Sequence, residues 1–397
     1  MEGGEGKGMV GASGSAVRGR VLTPDGIIDD GLVTVAGARI GAVAPAAGRA
    51  AEVDVMAEGR WIIPGLVDIH VHGGAGNDVM AGPSAIRRVA RALAARGVTS
   101  FVPTAVSAPL EALVAFAADV AAARRDQAVD RRAGASEPES EILGANLEGP
   151  ALDPAHRGAH DPAALLSPRD LLEAWVATPG RWDEVRIVTV APERSGGLDF
   201  VRLLVAAGRV ASVGHTGATY SEAWAAYEAG ARSTTHLFNA MTGLSHRGPG
   251  AALAALLHPT VAVELIADGI HVDPAVWPLV WRMVGRRLIL VSDAIPAAGA
   301  GGGDYVLGGL RVLLRDGRAT LEDGTIVGSA MSLDHGLASV IAAGLPLSEA
   351  SAAASVAPAR LLGLDRKGRI ALGADADLLV VSPEGRIERV MIAGRWL

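Results

Sequence analysis

The stretch LVDIHVHGG (66–74) sets two imidazoles, His70 and His72, two residues apart in an apolar run. A strand returns to the same face every second residue, so both rings point one way while Ile69 and Val71 point the other. Such a pair is either a chance meeting of core or surface histidines or one half of a metal site. Four more ligand-type side chains stand at the ends of later apolar runs: Glu148 in NLEGP, His215 in VGHTG, His236 in TTHLFNAM and Asp293 in VSDAI. Each alone has a plainer reading. A lone histidine at a strand end is more often satisfied structure than ligand, and Glu148 or Asp293 could cap a helix. Six such groups at equivalent places on five strands point instead to one divalent-cation site. Imidazole with carboxylate suits zinc or iron(II) and needs no thiolate.

The elements that must position these groups are legible as an alternation. Eight strand-like runs, LVDIHVH, VTSFVPTA, ILGANLEGP, VRIVTVAPE, VASVGHT, RSTTHLFNAM, VAVELIADGIHV and LILVSDAI, are separated by Ala/Leu-rich stretches of helical period such as SAIRRVARALAARG and YSEAWAAYEAG. Eight strands alternating with helices call for a closed parallel (β/α)8 TIM-like barrel, whose active site lies at the C-terminal ends of the strands. Short β-like pieces at both chain ends predict a small β-sandwich domain beside it. The expected division is a disordered tail over 1–15, the N-terminal part of the sandwich over 16–61, the barrel over 62–304, an excursion of the sandwich over 305–330, helices packing on the barrel over 331–364, and the rest of the sandwich over 365–397. The charged stretch 124–142 reads as a surface excursion. The Gly-rich run ending at Gly303 lacks the strand-to-helix context of a phosphate cradle and reads as loop.

Composition narrows the partners. The 397 residues carry a net charge of −7 and no basic cluster, which argues against nucleic acid. No apolar run approaches the roughly 20 residues of a membrane span. The N-terminus has no apolar h-region, so a cytoplasmic location is expected. Without cysteine, thiolate is excluded as nucleophile or ligand. Lys and Arg total 36, and only Lys7 and Lys367 are lysine, leaving 34 arginines.

A barrel with a small β-sandwich, HxH on the first strand, histidines on the fifth and sixth and aspartate on the eighth resembles the amidohydrolase superfamily. The ordered set LEGP, RGAH, GHT, HLFNAM, ADGIHVD and SDA resembles, more closely, the N-acetylglucosamine-6-phosphate deacetylase family, over nearly the whole chain after residue 15. HxH alone is a weak signal; LEGP, HLFNAM and ADGIHVD in order are specific. Many superfamily relatives bridge two metals with a carboxylated lysine on the fourth strand, but VRIVTVAPE has no lysine, and Glu148 is the replacement the resemblance implies.

The resemblance further implies that Glu148, His215 and His236 hold the core ion. His70 and His72, with Glu148 and Asp293, match the positions of a second, so one or two Zn2+ or Fe2+ ions per subunit are expected. It implies Asp293 as general base and His160 of RGAH as the group that polarises the acetyl carbonyl. Arg247 of SHRGPG, Asn239 and the backbone at Ala240 match phosphate contacts, and His271 matches a residue that holds the sugar. In the family the arginine can reach across a homodimer into the neighbouring site. The reaction implied is metal-dependent deacetylation of N-acetylglucosamine 6-phosphate, in amino-sugar catabolism. The alternatives are an enzyme for N-acetylgalactosamine 6-phosphate or another N-acyl amino sugar, and a non-catalytic protein that senses sugar phosphates.

Overall fold

The structure is a computed structural model and describes residues 15–47, 53–134 and 137–397. The tail expected over 1–15 therefore falls, apart from Ser15, outside the described residues. Eight parallel strands follow one another around a ring: Leu66–Val71, Val98–Ala105, Ala145–Glu148, Val185–Val190, Val210–Val213, Ser233–Thr234, Ala262–Ile266 and Leu288–Val291. The ring closes between the last and first strands, where Asp293 N–H donates to His70 O at 3.0 Å and His72 N–H to Ala294 O at 2.8 Å. The first two strands are buried along their whole length, as expected when side chains fill the barrel on one face and helices cover the other.

Those helices form because their apolar residues recur at helical spacing and their ends carry stop and start signals. Helix Pro83–Ala94 has proline in its first turn and turns Ile86, Val89, Ala90 and Leu93 inward. Helix Tyr220–Glu228 opens with a reciprocal capping box between Thr219 and Glu222. Their buried faces join strand residues such as Phe101 and Leu147 in one large apolar cluster. A second cluster, including Ile69, Val102, Leu143, Ile187, Val210 and Ile289, is packed against Ala357, Leu361 and Leu362 from the helices after residue 331.

Strands from both chain ends build one seven-stranded sheet. Its order runs from Arg395–Trp396 through Ile387–Ile392, Leu378–Val381, Val55–Pro64, Ala16–Thr23 and Gly26–Ala36 to Arg39–Pro45. Register shifts at Gly19 and between Thr34 and Val35 bend it around its own core of Val17, Val33, Ile40, Leu378 and Met391. Strand Val55–Pro64 runs past the boundary expected at 61/62, and barrel pairing starts at Leu66.

Two expectations are corrected. The strands expected to be an excursion of the sandwich over 305–330 do not join that sheet. Gly303–Leu307, Leu310–Arg315 and Arg318–Thr320 form their own antiparallel sheet. Its apolar face, Leu307, Val312, Leu314 and Ala319, has a nearer surface to cover: Ile295 and Ala297, just after Asp293 at the barrel mouth. The stretch 124–142 is not a mere surface excursion either. Helix Leu110–Ala133 continues through its charged second half and stops at Gly134 in the left-handed region. Gln127 is buried there, donating to Ser140 O and accepting from Ile142 N–H, which docks the helix on the barrel.

Lys367, the one lysine among the described residues, ties the two units together. Its Nζ lies 2.6 Å from Glu141 Oε2 beside the second barrel strand, 2.8 Å from Asp377 Oδ2 and 3.1 Å from Asp375 Oδ2. Burial works against a charged Glu141, but Lys367 and Arg131 outweigh it and hold the carboxyl down at about 2. Replacing Lys367 with Met strips buried Asp377 of its cation and leaves Glu141 to Arg131 and Asp375 to Arg39 and Arg366; it is expected to cost about 3 kcal/mol, seen as a lower Tm at pH 7. Glu141 has its pKa depressed in the folded state. The stability it contributes is thus complete above the ordinary value of 4.5 and drains away as pH falls through about 2. The gap in Tm between wild type and variant should shrink across that window. An unchanged Tm at pH 7 would show that the lysine is dispensable.

Candidate functional site

The mouth of the barrel gathers five histidines and two carboxylates from separate strands and loops. Glu148, at the end of the third strand, is the hub. Its Oε1 lies 2.7 Å from His236 Nε2, 3.0 Å from His215 Nε2 and 3.5 Å from His70 Nε2. Its Oε2 lies 3.2 Å from His72 Nε2 and 3.3 Å from His160 Nε2. Asp293 Oδ1 stands 3.2 Å from His72 Nε2 and 3.6 Å from His70 Nε2. All seven side chains are buried. The backbone is bent to present three of them: His215, His236 and Asp293 all have positive φ, at 47°, 28° and 51°, a region L-residues seldom adopt outside sites that need it. Gly149 (φ 89°), next to Glu148, sits where an added Cβ would meet Ser107 Oγ, so the LEGP turn admits only glycine there.

The outer ring nitrogens decide what the inner ones offer. His72 Nδ1 faces Thr104 O at 3.0 Å and His215 Nδ1 faces His156 O at 2.9 Å, so these nitrogens carry the proton. The inner Nε2 atoms are then lone pairs. Yet His72 Nε2 lies 3.2 Å from His70 Nε2, and His215 Nε2 lies 3.1 Å from His236 Nε2. The lone pairs of His72 and His215 face carboxylate oxygens of Glu148 and Asp293, and they repel unless positive charge sits among them. The donor set thus fits a divalent cation, with the donor atoms of His70, His72 and Asp293 all within 4.8 Å of one another. Glu148, His160 and His215 satisfy the same distance, but His160 has the opposite tautomer. Its Nδ1 accepts from Ser107 N–H at 3.0 Å, which leaves the proton on Nε2. His160 is therefore a hydrogen-bond donor into the cleft rather than a ligand, and His236 Nε2, 2.7 Å from Glu148 Oε1 and 3.1 Å from His215 Nε2, offers a third donor atom beside them.

The titration behaviour carries the same message. Burial pushes Glu148 toward its neutral form, yet His70 and His215 hold it well below the carboxylate range. Burial likewise resists charge on His72, but Asp293 and Glu148 prevail and push it up to about 9; His70 is raised in the same direction. Burial keeps His215 down at about 4. The carboxylates demand counter-charge, and protons on the HxH pair supply it when no cation does. A raised pKa means that protons compete for the inner nitrogens at every pH below about 9. Zinc affinity is therefore expected to climb with pH up to about 9, and binding at pH 7 to expel at least one proton per protein. Calorimetry in buffers of different ionisation heat checks this, and proton-neutral binding at pH 7 would contradict it.

Around this cluster the cleft is lined by Asn239, Ala240 and His271 on one side and by Leu307, Gly308, Val327 and Gly328 of the capping sheet and its loop on the other. His271 Nδ1 is clamped by Asp268 Oδ2 at 2.8 Å, and Ser329 Oγ donates to the same oxygen at 3.0 Å. Asn239 Nδ2 donates to His236 O at 3.1 Å. Every residue expected at the site from sequence lies at the mouth or lines the cleft except Arg247, which is exposed on the loop after Met241, outside the lining of its own cleft. Sequence reading passed over Glu264, Asp268, Thr104 and Ser107. Only Glu264 left a clear sign, as an acid inside the apolar run VAVELI.

Residues 206–397 match the amidohydrolase family. An N-acetylglucosamine-6-phosphate deacetylase of Vibrio furnissii is 38% identical over 341 residues, covering 84% of this chain and 82% of that protein. An N-acetylgalactosamine-6-phosphate deacetylase of Escherichia coli O157:H7 is 34% identical and covers 95% of this chain and 97% of its own. A solved structure of N-acetyl-D-glucosamine-6-phosphate deacetylase from Mycobacterium smegmatis, a mutant in complex with N-acetyl-D-glucosamine-6-phosphate, superposes with a TM-score of 0.87 at 37% identity and covers 97% of this chain and 99% of that one. The ring of parallel strands, its histidine-rich mouth and these likenesses agree, and the chain belongs to the amidohydrolase family, among the N-acetylglucosamine-6-phosphate deacetylases.

Proposed function

We propose that this chain hydrolyses the acetamide of N-acetylglucosamine 6-phosphate to glucosamine 6-phosphate and acetate. The observation that carries the reading is the convergence of inner imidazole nitrogens on Glu148 and Asp293, in a chain whose relatives carry that activity in their names. Glu148, His215 and His236 would hold one divalent ion, and His70 and His72 with Asp293 a second. Zn2+ and Fe2+ suit the donors best. Such an ion supplies Lewis acidity, which makes water a nucleophile near neutral pH and polarises an amide carbonyl.

The chain's own groups do the rest. Asp293, kept ionised by His70 and His72 against the effect of burial, accepts a proton from the attacking water at a carboxylate oxygen. It then delivers that proton to the amine nitrogen as the C–N bond breaks. His160 donates from Nε2 to the carbonyl oxygen as charge builds there. His271, held by Asp268, meets the sugar hydroxyls. Asn239 and the backbone at Ala240 meet the phosphate. Arg247 reaches a phosphate only from a second copy of the chain, which makes a homodimer the working unit. Removing its fork of charged donors is expected to raise KM about 10–100-fold for the phosphorylated sugar and to leave unphosphorylated N-acetylglucosamine unaffected. Equal effects on the two would place the phosphate elsewhere.

Acetate release over a panel of N-acetylated sugars tests the function. Turnover of N-acetylglucosamine 6-phosphate, abolished by chelator and restored by zinc or iron, supports it. Selective turnover of the galactosamine epimer would move the chain to the activity named for its Escherichia coli relative. No acetate from any sugar would refute it.

A further inference from the structure

Of the histidines that point an inner nitrogen at the mouth, His72 and His215 are oriented by main-chain carbonyls. His70 is held differently. Its Nδ1 lies 3.3 Å from Glu264 Oε2, a carboxylate on the seventh strand. The same oxygen accepts the main-chain N–H of His236 at 3.2 Å. Glu264 is 1% exposed, and its only reason to be inside the barrel is polar, since its strand neighbours Val263 and Leu265 belong to the apolar layer. One buried acid thus touches two residues of the metal cluster that come from different strands. One contact is to the ring of a histidine of the HxH pair, and the other is to the backbone of a histidine of the Glu148 trio.

We propose that Glu264 is the positioning residue that makes the HxH pair competent to hold its ion. By accepting from Nδ1 it fixes the tautomer in which His70 Nε2 is a lone pair, and by anchoring to the sixth strand it sets the angle at which the ring faces His72 and Asp293. A carboxylate acceptor also makes the imidazole a stronger donor to metal than a carbonyl acceptor does. A strand seven without this acid would leave His70 free to turn its proton inward, and the HxH letters would no longer imply a second ion. The inference rests on reading the mouth as a metal site.

The test is zinc titration of the full-length wild type, Glu264→Gln, His70→Asn and the double variant against a competing chromophoric chelator, with melting curves of the metal-free proteins. Glu264→Gln is expected to weaken one of two ions about 10–100-fold, to spare the other, and to add nothing in the His70→Asn background. Unchanged affinities for both ions, additive losses in the double variant, or both ions weakened together with a lower metal-free Tm would overturn it. So would a wild type whose single ion is indifferent to His70→Asn. A wild type that binds no divalent ion would instead overturn the proposed function itself. Should Glu264→Gln fail to fold, nitrogen-15 NMR of the wild type decides. A low-field Nδ1–H resonance missing from His70→Asn supports the role, and its absence overturns it.

Discussion

Asp293→Asn is expected to lower kcat by about 10³–10⁴-fold while leaving the fold and the bound metal in place. The size follows from the two jobs given to one carboxylate. The amide oxygen of asparagine can still sit where Oδ1 sits, but it cannot take a proton from water at neutral pH or return one to the amine. At about 1.4 kcal/mol per decade, the loss corresponds to roughly 4–5.5 kcal/mol of barrier. Asparagine is the right probe for a backbone reason as well. Position 293 has φ 51°, and Asn tolerates the left-handed region better than any other residue except glycine, so the strand end keeps its bend. Elemental analysis beside the acetate assay separates the outcomes. Normal metal content with near-normal turnover would remove Asp293 from the proton path. Lost metal would make it chiefly a ligand.

What could be seen in the sequence, and what could not, divides along a physical line. In a strand the period-2 alternation of LVDIHVH puts His70 and His72 onto one face, and apolar runs alternating with helical ones call for a ring of strands. Glu148, His215, His236 and Asp293 were visible because each is a polar break at the end of such a run. The partners that set tautomers were not visible. Thr104 and His156 act through main-chain carbonyls, and Ser107 through its main-chain N–H. Every residue type offers the carbonyl and every one but proline the N–H, so no letter marks them. The capping sheet was misassigned for a related reason: alternation at Tyr305, Leu307 and Val312 signals a strand with one apolar face but does not name the surface that face covers. Arg247 is the converse. Its side chain is exposed and does not line the cleft of its own chain, so the role proposed for it requires a second copy.

Glu148→Gln should have the largest effect of any single substitution in this chain. Glu148 is the one group that contacts all five imidazoles of the mouth. The change keeps its volume but exchanges an anion for an amide. Both carboxylate oxygens have histidine nitrogens within 3.3 Å, so the new NH2 must face one set of them whichever way it turns. The three raised histidines, His70, His72 and His236, lose a charge that supports them, and His215 and His236 lose the anion proposed to complete a binding trio. The variant is expected to emerge from purification without the ion held by that trio and to lose activity on the order of 10⁴-fold or more, because water is then no longer a nucleophile at pH 7. A fourth-strand lysine could in principle rebuild a bridge in other amidohydrolases. Here the one lysine among the described residues is committed to Glu141, Asp375 and Asp377 and does not reach the mouth. Added zinc should therefore fail to rescue Glu148→Gln, whereas it should rescue chelator-stripped wild type. A variant that keeps its metal and turns over within tenfold of wild type would show that the hub lies elsewhere, and with it the reason these strands converge.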